Sequence, residues 1–205
     1  MLNKRGQAIM ARVMEEGFDV LNSIDREYAK EIIIKIIGKH PEKLIDLSYS
    51  WQVDLDVLNA AILGNEDNLS GVLWVYKRMN KRAQINPAVC RFIMEVIPGM
   101  FPHLNYMDDY IIRTGLSSDG MNLAYISEEN DNREYVMLAV EENGLALAYA
   151  ADHLKDDFEI VYAAVTNNGM AIDSASERLQ RNHHIQQASI ANLSSKSKKT
   201  SANKR

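Results

Sequence analysis

The sequence predicts an all-α protein, an α-solenoid built from about six or seven short antiparallel helical hairpins. Three observations predict it. Residues 131–155 and 156–180 align without gaps at a period of 25, with ten identical positions that include Val136/Val161, Ala139/Ala164, Asn143/Asn168 and Leu154/Leu179. Apolar residues inside each copy fall at helical spacing: Ile160, Val161, Ala164 and Val165 form one stripe, and Ile172, Ala175 and Leu179 another. Each copy also opens on an acidic residue and breaks at Asn-Gly. One hairpin of this size cannot bury both faces, so it needs neighbours on either side.

The elements follow in chain order. Residues 1–107 keep only the rhythm of the repeat and read as diverged hairpins. Segments 25–53, 54–84 and 86–107 each begin with Asp or Asn before an apolar-periodic stretch. Asn86-Pro87 is an N-cap followed by proline at the first helical position. Trp51, Trp74 and Cys90 lie in apolar helical stretches and read as core.

Residues 108–180 read as three hairpin repeats. The first, 108–129, is more diverged, and its Asp119-Gly120 stands where later copies have Asn-Gly. Asp131-x-x-Glu134 and Asp156-x-x-Glu159 resemble capping boxes, which makes Asp131 and Asp156 the expected helix starts. Asn143-Gly144 and Asn168-Gly169 are the expected breaks, each glycine ending a helix in the left-handed conformation. The recurring alanines are expected to let neighbouring helices approach closely. Residues 181–193 fit a polar capping segment. Residues 194–205, rich in Ser, Lys and Asn, read as a disordered basic tail.

Taken together, Ala139-Val140, Asn143-Gly144, Leu154, Asp156-Asp157, Ala164-Val165, Asn168-Gly169 and Leu179 resemble the bacterial repeat family called domain of unknown function 4116, over residues 108–180. The resemblance implies a helical repeat from a host-associated bacterium and, for some members, delivery into a host cell. It carries over no catalytic residue.

Charge is unevenly distributed. The chain is −5 overall, but residues 1–180 hold 17 basic and 28 acidic side chains, while 181–205 hold six basic and no acidic ones. An acidic repeat array favours basic partner segments through steering. The single cysteine excludes an internal disulfide framework and a cysteine-rich zinc site. The longest apolar run, 145–151, is too short to span a bilayer, and the first 18 residues lack a continuous apolar core of the signal-peptide kind. The expected location is therefore the cytoplasm, or a host cell reached without a cleaved signal peptide.

No metal-ligand spacing, phosphate loop or nucleophile motif is present, so neither enzyme activity, metal nor cofactor is expected. The expected function is a protein–protein interaction module, a host-directed effector or adaptor, whose partner has a basic surface. Its candidate contacts are the positions where paired repeats differ: Phe158 and Tyr162 in one copy, Arg133 and Met137 in the other. Aromatic, Met and Arg side chains are enriched at interfaces. The competing reading buries Phe158 and Tyr162 between helical layers, and the regular tyrosines Tyr125 and Tyr149 read as packing. The alternative function is nucleic-acid binding through Lys77, Arg78, Lys81 and Arg82, whose i, i+4 spacing groups them on one side of a helix.

Overall fold

The computed structural model describes residues 2–65, 69–126 and 130–202. It is 78% helical, with no strand among the described residues. The chain divides into two compact units, Met1–Met107 and Asp108–Arg205.

In the first unit, α1 (Lys4–Glu16) is followed by the 3₁₀ helix η1 (Phe18–Ser23), and α2 (Arg26–Ile37) by η2 (Pro41–Asp46). Next come α3 (Tyr49–Gln52), α4 (Leu55–Gly64), α5 (Leu69–Arg78), α6 (Lys81–Gln84), α7 (Pro87–Val96) and η3 (Pro98–His103). Its core gathers Ile32, Ile33, Ile36 and Ile37 of α2 with Val57 and Leu58 of α4, and α2 packs directly on α4. Cys90 is fully buried there, as the sequence reading has it. Trp74 is not: it is exposed, with the Arg78 guanidinium 4.2 Å from its ring centroid. A ring covered by a cation can remain at the surface.

The second unit holds α8 (Asp109–Ser118), η4 (Gly120–Tyr125), α9 (Arg133–Glu142), η5 (Gly144–Tyr149), α10 (Phe158–Asn167), η6 (Gly169–Ser174), α11 (Glu177–Gln180) and α12 (His183–Ala202). Here α8 packs on α9, α9 on α10 and α10 on α12; η4 packs on η5 and η5 on η6. The layers that begin with α8, α9 and α10 are thus each a ten-residue α-helix and a six-residue 3₁₀ helix, rather than two α-helices. The reason is local. Asp119, Asn143 and Asn168 each end one helix and, through the side-chain oxygen, accept the N–H two residues on, which starts the next. The chain then goes extended at Ala150 and Ala175, so only six residues remain for the second helix.

Three expectations need correction. Asp131 and Asp156 are not the helix starts; the caps are the following residues, Asn132 and Asp157, whose carbonyl or carboxylate oxygens accept two backbone N–H groups each. Gly144 and Gly169 are not left-handed, and the only positive-φ glycine among the described residues is Gly17, at 95°. What requires glycine at 144 and 169 is the neighbouring layer. An added Cβ would lie 2.2 Å from the Ala164 oxygen at Gly144 and 2.5 Å from the Ser189 oxygen at Gly169. Finally, the backbone does not leave the helix at Ser194: α12 continues to Ala202. Where earlier layers have Asn-Gly, this one has Leu193-Ser194, which supplies neither the capping side chain nor the bare backbone that the turn uses. Residues 203–205 lie outside the described residues.

Candidate partner-binding surface

Aligning the layers on their glycines places Asp109, Arg133, Phe158 and His183 at the first position of successive α-helices, and Arg113, Met137, Tyr162 and Gln187 at the fifth. One turn apart, these positions share the outward side of each helix. All four predicted contact residues therefore occupy one face of two adjacent helices, α9 and α10. Phe158 and Tyr162 stay 42% and 45% exposed, so they are not buried between layers. Their rings stack, with centroids 5.9 Å apart and planes 18° from parallel. Met137 and its neighbour Leu138 are half-buried beside them in the sequence register, as is Ala163.

Ion pairs between layers frame this apolar centre. Arg133 donates through Nε to Asp157 at 3.0 Å, and its second arm reaches Glu159. Arg113 bonds Asp109 at 2.8 Å and Glu134 at 2.7 Å, with its guanidinium over the Tyr135 ring. The Tyr135 hydroxyl and then Arg113 hold the Asp109 carboxyl below its usual range. Asp156 has become a link to the next turn: it accepts from the Ser176 hydroxyl and from Arg178, and both lower its pKa, the hydroxyl more.

The acidity sits here. Residues 108–180 hold 15 acidic and four basic side chains, whereas 1–107 hold 13 of each. The four cations, Arg113, Arg133, Lys155 and Arg178, are all engaged in ion pairs. The segment that carries the aromatic pair therefore has a net charge of −11.

The residues that hold the layers in register include several the sequence reading passed over. The Gly144 N–H donates to Asn167 Oδ1 at 2.9 Å, while Asn167 Nδ2 donates to the carbonyls of Glu141 and Glu142. Twenty-five residues on, Asn192 repeats this against Gly169, Thr166 and Asn167. The spacing of Asn167 and Asn192 was the available signal. A second recurrence is a glutamine that donates to the carbonyls five and seven residues before it: Gln52 to Leu47 and Ile45, Gln84 to Met79 and Lys77, Gln180 to Ala175 and Asp173. Each closes a four-residue helix preceded by Ser or Asn and followed, two residues later, by the next Asp or Asn cap.

Tyr125 and Tyr149 are also exposed, 60% for Tyr125, along the 3₁₀ row, so they are not packing residues. The basic cluster of the first unit is divided. Lys77 and Arg78 end α5, Asn80 caps α6, and Lys81 and Arg82 begin it, so the four do not share one helix. Arg78 lies over Trp74, and Arg82 lies 5.4 Å from the Tyr49 ring centroid. Among the described residues no group of three or more His, Cys, Asp or Glu side chains is placed to hold a metal, and no helix is long and apolar enough to cross a membrane.

Residues 132–180 match the family model described as Domain of unknown function (DUF4116). That segment runs from the cap of α9 to the end of α11, two successive layers including the aromatic pair. No curated protein and no solved structure matches the chain significantly.

Proposed function

We propose that this protein is a non-enzymatic binding module of the α-solenoid kind, which captures a protein partner on the outer face of α9 and α10. The partner carries a basic, partly apolar segment. The observation that carries this reading is the stacked, half-exposed Phe158–Tyr162 pair, set in a segment with a large excess of carboxylates. Exposed aromatic rings supply contact area at small entropic cost, and the surrounding field attracts and orients a cationic segment. The succession of layers in the second unit supports the solenoid reading, because α9 touches both α8 and α10, and α10 touches both α9 and α12.

Affinity capture with wild-type protein and with the Phe158→Ser, Tyr162→Ser double variant tests the proposal. A stoichiometric partner that is retained at low salt, released as salt rises and lost with the double variant fits it. A partner that both proteins retain equally rules out this face.

A further inference from the structure

The last layer of the second unit leaves a core position uncovered. Leu116, Val140 and Val165 occupy the eighth position of α8, α9 and α10, and all three are fully buried. The same position in α12 is Ile190, which is 63% exposed. Leu193, three residues on and 43% exposed, reaches across Gly169. With Gln186 these residues lie at i, i+4 and i+7, one stripe of a helix. Val161, the counterpart of Gln186, is buried, so only part of this stripe has been made polar. Two large aliphatic side chains remain where a further layer would sit.

Charge says what covers them. Residues 183–195 contain no Asp, Glu, Lys or Arg, whereas 196–205 contain five basic side chains and no acidic one. The backbone of α12 stays helical to Ala202, so the basic stretch starts on a continuation of the same helix. The layers behind α12, in residues 108–180, have a net charge of −11. Each chain therefore offers, side by side, an apolar stripe, a basic extension and an acidic repeat.

We propose that α12 is a homotypic interface at which two copies pair antiparallel about a two-fold axis between Ile190 and Leu193. Ile190 of one copy packs on Leu193 of the other, and each basic extension runs toward the acidic layers of the second copy. A parallel pair would bring Lys196, Lys198 and Lys199 of the two helices together, which opposes that orientation. The two-fold arrangement is closed, so it yields a dimer and not a filament. The stripe of Ile190 and Leu193 on α12 is separate from the Phe158–Tyr162 pair on α10.

Sedimentation velocity of the full chain over a range of concentrations tests this. At low salt the mass should rise with concentration to twice the 23.2 kDa of the chain and return to the monomer at high salt. Ile190→Glu and Leu193→Glu should each weaken the dimer by about tenfold or more, and Ile190→Glu should do so with circular dichroism and melting temperature unchanged, because Ile190 is 63% exposed. Replacing Lys196, Lys198 and Lys199 together by Glu should weaken it as well. The Phe158→Ser, Tyr162→Ser double variant should dimerise like wild type even if it captures no partner, which separates this proposal from the previous one. A protein that is monomeric at every concentration and salt, or a dimer indifferent to Ile190→Glu, overturns it. So does a monomer that loses a different protein partner on Ile190→Glu.

Discussion

Gly144 lies so close to Ala164 of the next layer that an added Cβ would stand 2.2 Å from the Ala164 carbonyl oxygen. Gly120 meets Ala139 at the same distance. Backbone therefore touches backbone along the seam, and the buried alanines beside it keep the helices at that separation.

Gly144→Ala should destabilise the protein by about 1–3 kcal/mol, because a carbonyl held in a helix cannot move aside as a flexible side chain can. Gly17→Ala provides a contrast. Nothing lies within 4 Å of its added Cβ, but its φ is 95°. There the cost is conformational, about 1–3 kcal/mol, because φ 95° with ψ 174° is a region that only glycine adopts readily. Urea titrations of both variants check the two values. A Gly144→Ala protein as stable as wild type would remove the seam from the account.

Asn192 should hold α12 onto the layer beneath it. Asn192→Leu removes the acceptor for Gly169 N–H and the donor to two carbonyls, and should cost about 1–3 kcal/mol. Hydrogen exchange should quicken in residues 183–193 before it does in α9. Uniform exchange across the unit would contradict this role.

Gln84 is the corresponding test in the first unit. Its amide is buried, donates to Lys77 and Met79 carbonyls and accepts from Asn105 at 2.8 Å. Gln84→Leu leaves those partners unsatisfied and should lower stability by about 2–4 kcal/mol, visible as a reduced denaturation midpoint.

The repeat period and the all-helical class were legible because ten identities at a fixed spacing and a 3.6-residue apolar pattern are local facts of sequence. So was the one-sided placement of Arg133, Met137, Phe158 and Tyr162, since positions four apart share a face. The 3₁₀ form of the second helix was not. It depends on Asn143 and Asn168 ending one helix and starting another with a single side chain, which composition does not distinguish from an ordinary break. The glycines were recognised as structural, but their reason lies in the next layer, 20 residues away. The Asp-x-x-Glu spacing points to Asp131 and Asp156 as caps, but a second polar residue follows each, and only the backbone decides which one turns inward.

Acid should loosen the second unit. Hydrogen bonds from Ser176 and Arg178 to Asp156, and from Tyr135 and Arg113 to Asp109, lower both carboxyl pKa values in the folded state. Their stabilising contribution is therefore present above the unfolded-state value of about 4 and is lost as pH falls through the folded-state values. Asp156→Asn should flatten the pH dependence of stability below about pH 4, measured by thermal melts across that range. An unchanged acid limb would show that these contacts carry none of it.

Replacing Phe158 and Tyr162 by Ser should change the melting temperature little, because both rings are nearly half exposed, while partner capture falls by about tenfold or more. A large fall in melting temperature would instead return these rings to the packing of the layers.

The binding claim is tested most directly by hydrogen–deuterium exchange on the captured complex and on the protein alone. Exchange should slow on complex formation in residues 133–142 and 158–167, the outer row formed by α9 and α10. Protection confined to other segments, with both helices unchanged, would contradict it.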